Sequence, residues 1–407
     1  MYHIFHLLLL SLLPLLTTAQ AGPWDAYIAL HSPATASKYN AYCLDGTHGG
    51  MYIRPASTAL GRTKFKFHFQ GGGWDTTPAG LLGRSTTILG SSTTWPPWLS
   101  QFWTSTAAFY GLMGLNDTNV NYFGEWNFVW LVYCDGSSQT SDLDNPLIVN
   151  GTSIHLRGRA LLDAHLETLD ELLNFTSTAT EVVVSGTSAG GLSTHLHSSF
   201  IAGRVPTART VAVPDAAWWW DTLAYNSTTA RPILHMFTTG IVVWNATIRG
   251  PSADACFAAN PTPETRVRCW VQPYAHAFST VPTFHIQSLY DNFNLAYCAW
   301  IKCHLGSTCD ADETKAIQNF HQQLLSNIVT AEAPFGSRDG HFFTSCYQHE
   351  ESCRASDWFG ITIGGGTMNS TLTEWYLSGV GAASTRRVDV PWPGDATCQE
   401  RVVHGSC

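Results

Sequence analysis

The segment Gly186-Thr187-Ser188-Ala189-Gly190 sets a hydroxyl between glycines in the spacing G-x-S-x-G. A serine hydroxyl is a weak nucleophile, so this spacing signifies chemistry only where a strand leads into it and a helix leads out. Both signals are present. Glu181–Val184 is a short β-branched run of strand type, and Gly191–Ile201 reads as a helix. A turn that tight admits only small flanking residues, hence Gly186 and Gly190, and it lifts Ser188 clear of the strand. The Ala189 N–H, in the first helical turn, has no intrahelical acceptor and can receive a developing oxyanion. A second donor is expected from the loop after an earlier strand. Lys64–Phe69 alternates like a strand and runs into Gly71-Gly72-Gly73-Trp74, where Gly72 and Gly73 can present N–H groups. The plain structural readings are a small-residue packing turn at Ser188 and a glycine turn leading to a buried Trp74. The two motifs together favour an acyl-transfer site.

In such sites the acid and then the histidine follow the nucleophile along the chain. Asp291 lies just past the strand-like Thr283–Leu289, where a triad carboxylate belongs. Asp310 and Asp312 read instead as helix-start residues. For the base, His341 and His349 both fall in the loop-rich stretch Asp339–Glu350, and residue chemistry alone leaves the choice open. The chain has 17 His, most of which must be structural. His195 and His197, on the helix after the serine, read as packing or surface residues.

The elements needed to hold these groups alternate along the chain. Phe128–Tyr133 and Val211–Val213 add strands, and Leu156–Leu173 and Thr314–Val329 add helices. Strands alternating with helices predict an α/β protein with a doubly wound, mostly parallel sheet and helices on both faces, like an α/β-hydrolase. Gly364–Gly366 and the Pro-rich Pro391–Gly394 are expected to mark the end of regular structure. There is no internal repeat or low-complexity linker. At 407 residues, 44% hydrophobic and 13% charged, the chain can bury a large core, and residues 22–407 are expected to form one domain.

The net charge of −9 and the lack of Lys/Arg clusters exclude nucleic acid as a partner. The same balance suits a neutral or esterified substrate better than an anionic one. Leu7–Leu16 is an apolar run too short to span a bilayer, and Ala19-Gln20-Ala21 fits a signal-peptide cleavage site, so residues 1–21 read as a secretory leader. No later stretch is apolar enough to span a membrane. Glycosylation sequons stand at Asn116, Asn150, Asn174, Asn226, Asn245 and Asn369. The 11 Cys, concentrated in the second half, then read as disulfides, with Cys256–Cys269 and Cys303–Cys309 as plausible short pairs. The count is odd, and the isolated Cys134 is the expected free thiol. Cys298, Cys303, His304 and Cys309 could suggest zinc, but no C-x-x-C pair exists, and no metal or cofactor is expected. A secreted monomer is the expectation.

Several of these segments resemble the pectin acetylesterase and Notum family of secreted serine carboxylesterases, from about Tyr42 to the C-terminus. They are Tyr42–Thr47, the glycine–tryptophan loop Gly71–Trp74, Gly186–Gly191, Pro214-Asp215-Ala216 with Trp218-Trp219-Trp220, and Ser345-Cys346-Tyr347-Gln348-His349. Leu89–Ser92 and Tyr133–Ser138 are more similar to the plant pectin acetylesterase branch. The resemblance implies His349 as the base with Asp291 as the acid. It implies a substrate pocket bordered by Trp74, Asp135, Trp218 and Trp219. The implied substrate is an acetylated cell-wall polysaccharide such as pectin. The alternative is a Notum-like deacylase that removes a fatty acyl group from a secreted protein. A secreted binding protein without catalysis is disfavoured by the intact Ser–Asp–His set. Four departures touch the loops. Gln70 stands for the family's Glu, Asp75 for a Cys that would brace the glycine loop, Ala217 for a Gly, and Glu350 for a Cys after the histidine, with Cys353 as a shifted substitute.

Overall fold

A computed structural model of the chain describes residues 25–102, 111–114, 121–378 and 385–398. Nine strands share one sheet: β1 (Tyr27–Leu30), β2 (Gly50–Arg54), β3 (Lys64–Phe69), β4 (Asn127–Leu131), β5 (Glu181–Thr187), β6 (Arg209–Asp215), β7 (Phe284–Ser288), β8 (Gly340–Thr344) and β9 (Arg386–Val388). Their spatial order is β1-β2-β4-β3-β5-β6-β7-β8-β9. The first two pairings are antiparallel and the rest parallel. Five longer helices accompany it: α1 (Gly158–Leu173), α2 (Ala189–Arg204), α3 (Pro232–Val243), α4 (Ala311–Glu332) and α5 (Met368–Leu377). This is the doubly wound, α/β-hydrolase-like arrangement that the alternating pattern predicts.

The central strand shows why. Val182 and Val184 pack toward Leu162 and Leu166 of α1 and Ile201 of α2. Val183 points to the other face, with Val213, Ile286, and Leu372 and Trp375 of α5. A strand covered on both sides must be apolar throughout, so its sequence is a run rather than an alternation.

Two expectations are corrected. Regular structure does not end at Gly364–Gly366. Gly364 and Gly365, at φ of +56° and +80°, form the tight turn of a small hairpin, Thr362–Ile363 with Gly366–Thr367. Thr367 then caps α5 by accepting from the Ser370 N–H, and β9 follows. Nor is Cys134 free. It bonds to Cys43, which lies 91 residues earlier. The Cys256–Cys269 and Cys303–Cys309 pairs form, as does Cys346–Cys398, and Cys353 is also disulfide-bonded. The free cysteine among the described residues is the buried Cys298, whose thiol donates to Asn294 Oδ1.

Asp310 does cap α4, accepting from the Glu313 N–H. No described helix is long and apolar enough to cross a membrane. The proposed leader and Asn116 lie outside the described residues. Asn150, Asn174, Asn226 and Asn245 are exposed in turns at positive φ, whereas Asn369 is half-buried at the start of α5.

Candidate active site

Strand β5 ends at Thr187 and α2 begins at Ala189, leaving Ser188 alone to make the turn. Its φ of +54° and ψ of −121° are strained for a residue with a side chain. The glycines around it are enforced by contact. A Cβ on Gly186 would sit 2.3 Å from the Gly190 carbonyl oxygen, and one on Gly190 would sit 2.0 Å from that of Phe69. The helix thus starts in backbone contact with the end of β3. The Ser188 N–H donates to the Asp215 carbonyl oxygen at the end of β6 (2.9 Å), which holds the turn in its strained form.

His349 comes from the loop after β8 and Asp291 from the loop after β7. Ser188 Oγ lies 2.8 Å from His349 Nε2, and His349 Nδ1 lies 2.7 Å from Asp291 Oδ2. The carboxylate accepts from Nδ1–H, so Nε2 is the ring nitrogen that faces the hydroxyl. Asp291 is itself fixed. It accepts from the Asn294 N–H (2.9 Å) and from Gln287 Nε2 (3.2 Å), and it is wholly buried. Burial alone would lower the His349 pKa, but the Asp291 carboxylate, with Glu350 and Asp215 nearby, pushes it up to about 9. The histidine loop is pinned to β6, because Asp215 Oδ2 accepts from the Glu351 and Ser352 N–H groups at 2.8 and 2.7 Å.

The glycine loop faces the same turn. Gly72 and Gly73 have φ of +141° and +70°. A Cβ on Gly71 would lie 3.2 Å from the Ser188 Cβ. The carbonyls are held from behind: that of Gly72 by Arg84 Nη2 (2.8 Å) and that of Gly73 by the Tyr133 hydroxyl (2.8 Å). Among the described residues, no backbone acceptor takes the N–H of Gly71, Gly72 or Gly73. Trp74 Nε1 donates to Ser138 Oγ (2.6 Å), which in turn donates to the Ala189 carbonyl (2.7 Å). One serine thus couples the glycine loop to the first turn of α2.

A family model described as Pectinacetylesterase matches residues 25–399. The chain belongs to the pectinacetylesterase family. It is 26% identical over 388 residues to pectin acetylesterase 5 of Arabidopsis thaliana, covering 91% of this chain and 84% of that one. Pectin acetylesterase 4 of the same plant is 25% identical, with 91% and 88% covered. The palmitoleoyl-protein carboxylesterase Notum of Schmidtea mediterranea is 26% identical over 353 residues, with 84% and 62% covered.

Within this pectinacetylesterase-family chain, Asp75, which stands where the resemblance would place a bracing cysteine beside the glycine loop, forms an ion pair with Arg84. The aromatic residues separate. Trp219 reaches the site indirectly: its ring meets Phe293 edge-on at 5.9 Å, and Phe293 stacks on His349 at 4.9 Å. Trp218 turns away, packing on His195 and His285 at 6.0 and 5.1 Å. Asp135 is not at the site surface. It is wholly buried, accepts from the Ser137 and Gln139 N–H groups, and closes its own turn against Gly158. Its burial pushes its pKa up to about 6. The alternative base, His341, is engaged by Glu332 at 2.8 Å, away from Ser188. His195 is half-buried against Trp218 and His285, and His197 is buried with its Nε2 2.9 Å from the Ser138 carbonyl oxygen. Sequence reading missed Phe293 and the clamping role of Asp215. Phe293, two residues past the acid, carries no pattern that marks it. Asp215 was visible only as one letter of a resemblance.

Proposed function

We propose that this protein is a secreted serine carboxylesterase that removes acetyl groups from a polysaccharide, with Ser188 as nucleophile, His349 as base and Asp291 as its orienting acid. The observation that carries this reading is the unbroken relay of 2.8 and 2.7 Å from Ser188 through His349 to Asp291. His349 Nε2 takes the Ser188 proton as Oγ bonds to the ester carbonyl carbon. The oxyanion forms against the Ala189 N–H and those of Gly72 or Gly73. His349 returns the proton to the departing sugar oxygen, and the C–O ester bond breaks to leave an acetyl-serine. Water, deprotonated by His349, then releases acetate and restores Ser188. These steps use only the chain's side chains, its backbone and water. The apolar leader-like start and the disulfides support an extracellular setting. The choice of an acetyl ester as the bond cleaved rests on the family and on the names of its plant members.

The test is Ser188→Ala. Nitrophenyl acetate turnover should fall by about 10⁴-fold or more, with unfolding unchanged. Turnover within tenfold of the parent would remove Ser188 from the mechanism.

A further inference from the structure

The segment that supplies Asp291 continues through a π-helical turn, Asn294–Cys298, to Ile301. Leu295, Cys298, Ala299 and Ile301 face inward and are buried, while Tyr297 and Trp300 stand 65% and 49% exposed. Trp300 has a φ of +58°, a left-handed conformation that bulky residues rarely adopt. Leaving an indole in water and holding this backbone both cost free energy, and such features gather where a ligand is met. Phe293 stands between Tyr297 and the catalytic imidazole, 4.7 Å from one ring and 4.9 Å from the other.

Beside this segment runs an open groove. A part of about 170 Å³ is lined by Ala299, Ile301 and Phe320. It shares Thr222, Leu223 and Gln323 with a larger part of about 430 Å³ beside Trp220 and Tyr274. One wall is α4, from which Asn319, Gln323 and Asn327 project into the groove at four-residue spacing, and so from one helical face. None of these three amide side chains has a hydrogen-bond partner among the described residues. The charged groups in the lining are Asp221 and Arg231, which pair with each other at 2.8 Å. The groove therefore carries no net charge and sets this amide row opposite apolar and aromatic walls.

We propose that this groove and the exposed Tyr297 and Trp300 bind sugar units of a neutral, hydroxyl-rich polysaccharide, the polymer that presents the ester to Ser188. This deepens the esterase reading and rests on it for the role of the polymer. Amides donate and accept at once, as hydroxyl groups require, and aromatic faces cover the C–H faces of pyranose rings. A fatty chain would leave the amide row without partners, which costs binding energy. A polyuronate would find no unpaired cation in the lining.

The Ser188→Ala protein, which holds substrate without turning it over, is mixed with partially acetylated glucomannan, and with polygalacturonate as the anionic comparison. Glucomannan should deplete the protein from solution with an affinity indifferent to salt up to about 0.5 M, since no charge is neutralised. Adding Asn319→Ala, Gln323→Ala and Asn327→Ala should weaken binding about tenfold or more. Tyr297→Ala with Trp300→Ala should weaken it to a similar degree. All five positions are on the surface or its edge, and unchanged circular dichroism verifies the fold. Equal affinity in both variants, tighter and salt-sensitive binding of polygalacturonate, or no glucomannan binding would overturn the proposal. Nitrophenyl acetate turnover by the parent protein judges the esterase reading separately, because Ser188, His349 and the glycine loop are not part of the groove lining.

Discussion

His349 must be neutral to take the Ser188 proton, so activity rises with pH through its pKa. An isolated histidine would set that rise near 6.5. Here burial acts to lower the value, but three carboxylates, Asp291 first and then Glu350 and Asp215, raise it to about 9. The acid limb of kcat/KM should therefore have its midpoint above 6.5. Glu350→Gln removes one of the three negative charges and favours the neutral imidazole. It should move that limb to lower pH by about one unit. A parent limb at or below 6.5 would mean that burial outweighs the carboxylates. Glu350 also shows how a single position changes the site. A Cβ on Gly71 would lie 2.8 Å from its Oε1, so its carboxyl group packs directly against the glycine loop. The residue is legible in the sequence only as a departure from a resemblance, because its proximity to Gly71 is created by the fold.

At the scale of elements, the β5–α2 turn depends on backbone contact. Two glycines of α2 separate contact from propensity. At Gly190 a Cβ would collide with the Phe69 and Gln70 carbonyls, at 2.0 and 2.7 Å. At Gly203, near the exposed end of the same helix, a Cβ meets nothing within 4 Å. Gly203→Ala should stabilise the protein by about 0.5–1 kcal/mol in urea unfolding, with activity retained. Gly190→Ala should destabilise it by about 1–3 kcal/mol and lower kcat about 100-fold, as the helix shifts and carries Ser188 and Ala189 with it. Equal behaviour of the two variants would refute backbone contact as the reason for the glycine. This element was readable because its constraint is local: an apolar run, a small-residue turn and a helix, all adjacent in sequence. Helix α5 was hidden by the same logic. Gly364–Gly366 looks like a terminus, but two glycines in a left-handed turn can equally reverse a hairpin, and only the partner strand decides.

For the whole molecule, the sequence alone shows which cysteines are close along the chain, not which are close in space. The short pairs Cys256–Cys269 and Cys303–Cys309 were accessible to it, whereas Cys43–Cys134 was not. That long bond encloses β2, β3, the glycine loop and β4, and it ends beside Tyr133, whose hydroxyl holds the Gly73 carbonyl. Loop-closure entropy in the unfolded chain grows with the enclosed length. By that measure the 91-residue closure contributes about 4–5 kcal/mol and the 6-residue closure of Cys303–Cys309 about 2 kcal/mol. Replacing Cys43 and Cys134 by Ala should thus lower the urea midpoint markedly more than replacing Cys303 and Cys309. It should also reduce kcat, because the turn that carries Tyr133 and Ser138 loses its tether to the N-terminal strands, and with it the glycine loop and the first turn of α2 lose their common support. Equal midpoints for the two double variants would show that the long bond does not stabilise through chain entropy. An unchanged kcat would show that Tyr133 and Ser138 are held by packing alone.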